Sequence, residues 1–461
     1  MNPAIERIRN ETRGTEYEGN LFLVGGIVRD KFMGRPPTED VDIVLEGDAL
    51  SFARYLHKKG ITEHRPVTYP RFGTAMVRIE GHAVELVSAR SESYVPDSRK
   101  PQVAPASLLD DVMRRDFTIN TLLEHLHTGE VLDLTGRAHA DIEAGIIRTP
   151  TEPQTTFYDD PLRMLRAVRF AVRFAFEIEE ATREAIVRDA GRLSIISKER
   201  IRDEFAKIVL SDDPDRGLNM LSENGLLKQF APELLEMQGV EQKGLHVWDV
   251  WNHTLRALDS LPRQAGLVLR LAILFHDTGK PRTRTVGPDG VIHFYGHEDL
   301  SARTARKILT RLRCPASDTG RVVKLVHMHM RIGEYRSEWR DSAVKRLMRD
   351  AGADMADLMA LAYADRLGSS PHPSLEGLNE LTERIENILL KVKVEELESP
   401  LDGREIMELL DLPPGPKVAE VKDFLCDEVI EGRLAPDDKD RAAHLARDRF
   451  AGDEPTASPS H

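Results

Sequence analysis

Only two of the 461 residues are cysteine, Cys314 and Cys426, and they lie far apart. A disulfide framework is therefore excluded, and the composition fits a reducing cytoplasm. No apolar run approaches the roughly 18–20 residues needed to span a bilayer. The first twenty residues contain no apolar core of the kind a secretory signal carries. An excess of positive charge is also missing. The net charge of −13 argues at first against a polyanionic partner. Net charge averages over domains, however, and a nucleic acid needs only one basic stripe. No internal repeat is present. What remains is 41% hydrophobic and 31% charged, which describes a soluble, folded chain rather than a disordered one. At this length about two to four domains are expected.

Residues 21–135 read as mixed α/β. Leu21–Val24 is a short apolar strand, followed by Gly25-Gly26 and a helix through Phe32. Asp40–Leu45 alternates polar and apolar, as a half-buried strand does. Ala75–Ile79 and Ala83–Val87 predict a hairpin around Glu80-Gly81-His82. Tyr94–Pro105 holds three prolines and no periodicity, so a flexible loop is expected. From about residue 140 amphipathic helices dominate: Asp159–Phe176, Glu180–Ala190, Lys198–Val209 and Arg216–Asn224, the last stopped by Gly225. More helices follow from Asp249 to about Ser369, Pro371–Pro373 marks a break, and residues 452–461 read as a disordered tail.

Asp40 and Asp42 are one residue apart, so on a strand their carboxylates share a face, with Val41, Ile43 and Leu45 directed into a core. Like charges this close need a cation between them. Magnesium, which accepts a few carboxylates plus phosphate oxygens, suits the arrangement. A two-metal site of this kind activates an attacking hydroxyl and neutralises leaving pyrophosphate. Glu85, acidic within the apolar run Val84–Val87, is the candidate third carboxylate. Gly25 and Gly26 let backbone amides approach a triphosphate, and Arg29, one turn on, can add a bidentate phosphate contact. A lone Gly-Gly is weak; Gly-Gly-x-x-Arg-Asp with Asp-x-Asp ten residues later is specific.

LFLVGGIVRDKFMGRPPTEDVDIVLE (21–46) and RRDFTIN (114–120) resemble the class II tRNA nucleotidyltransferases and bacterial poly(A) polymerases of the polymerase-β superfamily. DDPLRMLRAVRFAVRF (159–174) and ISKERIRDEFAKIVLS (196–211) extend the resemblance, which covers residues 20–235 closely and the rest more loosely. It implies an α+β chain: a polymerase-β-like head with a mixed sheet, then all-α neck, HD and tail domains. The expected divisions are a head at 1–140, a helical neck for base selection and RNA binding at 141–235, an HD domain at 236–370, and a helical body and tail at 371–451.

Arg163, Arg166, Arg169 and Arg173 fall within an arc of about 120° on one helix and predict one basic stripe, with Leu162, Leu165 and Phe176 expected to pack. Asp160 lies three residues before Arg163, and an Asp–Arg pair offers acceptors and donors that can read a base edge. The resemblance implies this use: a protein template that accepts C or A and rejects U and G. It assigns further nucleotide contacts to Arg166 and Arg169, a triphosphate and sugar contact to Arg115, and loop orientation with ribose contact to Asp116 and Asn120. Where the family usually has Glu, this chain has Asp159. The retained segment 94–105 favours CCA addition, because enzymes that add only CC have it shortened.

Seven of the 16 histidines fall in residues 246–329; an even spread would put about three there, and metal ligation is a common reason for such clustering. The pattern is His253, then His276-Asp277 after the apolar run Leu267–Phe275, then Asp365. Imidazole and carboxylate ligands suit a catalytic divalent metal. HDTGKP (276–281) resembles the central motif of the HD phosphohydrolases. That resemblance implies a metal-dependent activity, as a 2′,3′-cyclic phosphodiesterase or phosphatase, at RNA ends. His297 and Lys280 are placed to contact a phosphate, whereas His327 and His329 fit equally as helix caps or solvent-facing residues. The segment 400–421 resembles the region that grips tRNA in the same family.

The combined expectation is a cytoplasmic, template-independent CTP/ATP:tRNA nucleotidyltransferase with magnesium at Asp40, Asp42 and Glu85, and a second divalent metal at His253, His276, Asp277 and Asp365. Its partners are tRNA, CTP and ATP, with no membrane, and as monomer or homodimer. The alternatives are an A-adding enzyme or poly(A) polymerase, an RNA-end phosphohydrolase with a non-catalytic head, and a non-catalytic RNA-binding protein.

Overall fold

The computed structural model describes residues 2–36, 40–93, 102–242, 247–390 and 397–450. The chain divides into two compact units: Met1–Leu235 with Ile308–Cys314, and Glu236–Lys307 with Pro315–His461. Among the described residues no helix is long and apolar enough to cross a membrane.

The first nine strands of the first unit lie between Leu21 and Leu132. They are β1 (Leu21–Val24), β2 (Val41–Leu45), β3 (Val67–Tyr69), β4 (Thr74–Ile79), β5 (His82–Ser88), β6 (Arg90–Ser93), β7 (Gln102–Pro105), β8 (Leu123–His125) and β9 (Val131–Leu132). Seven of them form a sheet in the order β3-β4-β5-β2-β1-β8-β9. Only the β2–β5 pair is parallel; the other neighbours are antiparallel, so the sheet is mixed. The β4–β5 turn consists of Glu80 and Gly81 alone, with φ of 49° and 79°, which matches the twist of the strands it joins. His82 belongs to β5.

Two expectations need correction here. Strand β2 is not half-buried: Val44, on the same face as Asp42, is fully buried in a cluster with Phe22, Val24, Leu108, Val112 and Leu123. The helix Leu108–Met113 supplies that cover, which no local alternation could reveal. The segment 94–105 is not all loop, because Gln102–Pro105 pairs antiparallel with Arg90–Ser93. Residues 94–101 lie outside the described residues.

Two short strands, Ile146–Ile147 and Glu177–Ile178, pair in parallel, and the rest of the unit is mostly helical, with Pro153–Asp159, Leu162–Phe174, Glu180–Asp189, Lys198–Val209 and Pro214–Glu223. The expected helix Asp159–Phe176 is thus two helices. Asp160 breaks them at φ −141°, ψ 99°. Pro161 is the cause, since proline disfavours helical backbone in the residue before it. Ala175, left-handed at φ 55°, ends the second helix.

In the second unit the helices Val250–Asp259, Leu267–Phe275, Ala316–Gly333 and Met355–Ser369 pack around a common core. Three more, Gly403–Leu410, Pro416–Ile430 and Lys439–Phe450, enclose their own apolar cluster around Ile406, Val421 and Leu425. Gly368 sets the approach of the first and last of the four. A Cβ there would lie 2.8 Å from both the Ala257 nitrogen and the His253 carbonyl oxygen. Gly368→Ala must push the helices apart, so it is expected to destabilise this unit by about 1–3 kcal/mol, as overpacking does. Differential scanning calorimetry should register a drop of several degrees; an unchanged midpoint would contradict the close approach.

Candidate transferase site and metal centre

Asp42 and Glu85 are register partners on the parallel pair β2–β5, so their side chains emerge side by side on one face. Asp40 stands just before β2 and is exposed. Burial first, then the charges of Glu85 and Asp40, push the Asp42 carboxyl up to about 6, although Arg115 pulls the other way. An all-carboxylate donor set of this kind fits a hard divalent cation.

Gly25 lies against this group. A Cβ at Gly25 would be 3.7 Å from Asp42 Oδ2 and 3.9 Å from Arg115 Nη1, and its φ is +77°. Only glycine suits such a turn, which brings the glycine loop, the carboxylate and the guanidinium within van der Waals reach. Gly26 begins the helix Gly26–Phe32. Arg115 is aimed by the fully buried Asp111, at 3.0 Å.

Arg29 departs from expectation. It is 3% exposed and turned inward, donating to Asp30 (2.8 Å) and Asn120 (2.5 Å), with its guanidinium 4.5 Å from the Phe174 ring centre. This is an interior residue rather than one lying open to a phosphate. Asn120 in turn donates to Asp116 (2.9 Å), and Asp116 accepts from Arg166 (2.8 Å). Burial opposes ionisation of Asp116, but Arg166 and Asn120 overcome it and hold the carboxyl well below its usual range. A buried polar chain therefore ties the helix after the glycine loop to the helix Leu162–Phe174.

The side chains of Asp160 and Arg163 have separate partners. Asp160 caps Leu162 (3.1 Å) and binds Arg200 (2.8 Å), whereas Arg163 donates to the carbonyls of Arg114 (2.7 Å) and Thr156 (3.4 Å). The four arginines share one helix, but they are not a uniformly solvated stripe. Arg166 is paired with Asp116 and Arg169 with Glu204 (2.7 Å), both half-buried or deeper. Sequence reasoning missed Arg200 and Glu204. Glu204 had a signal: it occupies a core position of the helix Lys198–Val209, beside the buried Ile201, Phe205 and Ile208.

In the second unit six side chains converge. His253 Nε2 lies 3.3 Å from His276 Nε2 and 3.0 Å from Asp365 Oδ1, and His276 Nε2 lies 3.2 Å from Asp277 Oδ2. On the other side of Asp277, its Oδ1 faces His297 Nε2 (3.5 Å) and His329 Nε2 (4.0 Å), which are 3.2 Å from each other. His329, excluded from the expected ligand set, thus belongs in the cluster, and His297 sits there as a potential ligand. Its signal was positional. His329 shares the buried face of its helix with Val322, Leu325, Val326 and Ile332, while His327 points out towards Asp299. His246 lies outside the described residues.

The donors are oriented for metal. His276, His297 and His329 each direct Nδ1 at the carbonyl three residues earlier, at 2.6, 2.8 and 2.6 Å. That contact fixes the proton on Nδ1 and leaves Nε2 as a ligand atom. Two triplets, His253–His276–Asp277 and Asp277–His297–His329, each place their ligand atoms within 4.8 Å of one another. Burial disfavours a charged His276, yet Asp277 and Asp365 raise it to about 10; burial holds His329 down at about 3, the neutral form a metal requires. The buried Asp277 and the half-buried Asp365 thus call for positive charge among these imidazoles, as a divalent cation supplies.

Family profiles match this division of labour. Residues 21–148 match the "Poly A polymerase head domain", 175–237 the "Probable RNA and SrmB- binding site of polymerase A", and 244–368 the "HD domain". Fold and site together define a nucleotidyltransferase fused to an HD-type metal module. The chain is 35% identical over 350 residues to an A-adding tRNA nucleotidyltransferase of Deinococcus radiodurans, covering 73% of this chain and 79% of that one. It is 33% identical over 440 residues, 92% of each chain, to a CC-adding tRNA nucleotidyltransferase of Thermus thermophilus. The chain belongs to the tRNA nucleotidyltransferase family. Its fold is that of the CCA-adding enzyme of Bacillus stearothermophilus, solved in complex with CTP, at a TM-score of 0.66 and 24% identity over 97% of this chain and 98% of that one.

Proposed function

We propose that this enzyme adds or repairs the complete 3′-terminal CCA of tRNA from CTP and ATP, in the cytoplasm. The observation that carries the reading is Asp42 opposite Glu85 with Gly25 so close that a Cβ there would lie 3.7 Å from the carboxylate. The 3′ hydroxyl of tRNA attacks the α-phosphate of the nucleotide; a phosphodiester forms and pyrophosphate leaves. Asp40, Asp42 and Glu85 would hold magnesium, which when bound neutralises the phosphates. Arg115 and the Gly25–Gly26 turn seat the triphosphate, and Asp116 and Asn120 order the sugar side of the pocket. Asp160 and Arg163 read the base after exchanging their present partners, Arg200 and the two carbonyls, for its edge. Arg166 and Arg169 hold the reading helix through Asp116 and Glu204. Arg29 serves by position, fixing the helix that follows the glycine loop. The working divisions remain head 1–140, neck 141–235, HD domain 236–370 and body and tail 371–451.

The HD cluster is a phosphohydrolase centre acting on damaged RNA ends. Its ligands divide into two sets that share Asp277, so it takes two divalent cations.

A second reading, addition of A alone, is favoured by the A-adding relative. Transcripts of tRNA ending before, within and after CCA, each incubated with CTP or ATP alone, decide between them. Two C residues on the shortest transcript and one A on the transcript ending in CC are expected. Absence of C incorporation would leave the A-adding reading.

A further inference from the structure

A cavity of about 100 Å³ opens against the metal cluster, with His329 and Asp365 in its wall. Asp365 is the ligand that is not fully enclosed, its side chain being 33% exposed. Two arginines, Arg336 and Arg366, line the same cavity, together with Ser374. Arg366 directly follows Asp365 on the helix Met355–Ser369.

Arg321, Arg331, Arg346 and Arg384 are each bonded to a carboxylate at 2.7–2.9 Å. Arg336 donates only to the carbonyls of Gly333 (3.3 Å) and Tyr335 (2.7 Å). Among the described residues the half-buried Arg366 guanidinium has no hydrogen-bond or ion-pair partner. Guanidinium forks that lack a carboxylate and face a small polar cavity suit a phosphate, whose oxygens they bind bidentately.

Size narrows the ligand. At about 100 Å³ the cavity is small beside pockets for whole small molecules, which run to about 300–1,000 Å³, and it is of a size to take a phosphate group. An internal phosphodiester must continue in two directions from the phosphorus, whereas a terminal phosphate leaves all but one of its oxygens free for the protein.

We propose that Arg336 and Arg366 form the phosphate-binding wall of the HD centre and select a terminal phosphate over an internal one. This rests on reading the cluster as a hydrolytic metal centre. The test uses the full chain, wild type and with Arg366→Ala, Arg366→Lys or Arg336→Ala, in metal-loaded and chelator-treated forms. Metal content is measured directly, and binding of inorganic phosphate by calorimetry. Each alanine variant is expected to weaken phosphate by about 10- to 100-fold at unchanged metal content, with Arg366→Lys in between. A trinucleotide carrying a 3′-phosphate should displace phosphate, and its 3′-hydroxyl counterpart should not. Alanine variants that bind phosphate like the wild type would overturn the assignment, as would equal displacement by the two trinucleotides. If wild-type protein holds no metal, the hydrolytic reading falls; arginine-dependent phosphate binding in that same protein would still support the anion wall, and arginine-independent binding would overturn it.

Discussion

Asp42→Asn is expected to reduce nucleotide addition by about 10³-fold or more while the fold survives, because transition-state charge stabilisation is the largest contribution such sites make. Asn keeps the shape of the side chain and removes the charge that a cation requires. The substitution also removes a strained group. The Asp42 carboxyl, raised by burial and by Glu85 from 3.8 to about 6, is penalised in its ionised form. A raised carboxyl favours the folded state fully below its ordinary range, and that contribution fades as pH rises through the folded value. Metal-free wild-type protein should therefore gain thermal stability relative to Asp42→Asn as pH falls from about 7 to 4. At neutral pH, removing the metal should destabilise the wild type more than the variant. Single-turnover addition of labelled CTP and melting curves with and without chelator provide the readouts. Full addition by the variant would support the alternative of a non-catalytic head, and an identical pH slope would remove Asp42 from the buried carboxylate pair.

Asp277→Asn is expected to empty the HD centre of metal altogether, because each carboxylate oxygen faces a different histidine pair. His329→Ala should remove only the cation on its own side and keep the one held by His253 and His276. Metal stoichiometry of the HD centre, counted apart from magnesium held by the head, then reads about two for wild type, one for His329→Ala and none for Asp277→Asn. One metal in both wild type and His329→Ala would reduce the centre to a single ion. Asp277→Asn also removes the charge partner of Lys280, which is 7% exposed, 2.6 Å from the carboxylate and left with Gln242 as its neutral acceptor. Loss of one partner of a buried pair costs about 3–5 kcal/mol, so a lowered melting temperature accompanies the metal loss. His329→Ala leaves Lys280 paired and separates the two effects. Addition of CTP to tRNA is expected to continue in both variants.

The departures from sequence reasoning share a cause. Alternation placed Val41, Ile43 and Leu45 inside but could not see the helix Leu108–Met113 that buries Val44 as well. Helical periodicity grouped four arginines on one helix, yet Glu204 and Asp116, which engage two of them, come from elsewhere in the chain. Arg29 looked like a phosphate ligand until Asn120, 91 residues away, and Phe174 were found to enclose it. His329 was separable from His327 by its place on the buried face, a pattern already present in the sequence.

By itself the sequence determined the family, the α+β head and the types of chemistry. Short-range spacing decides these: two carboxylates at i and i+2 share a strand face wherever that strand lies. The tertiary structure alone decided which charges are neutralised, which histidines meet and which arginines stay unpaired. Those properties depend on distances of a few ångströms between segments far apart in sequence, where burial and pairing rather than residue type set the energy of a charge.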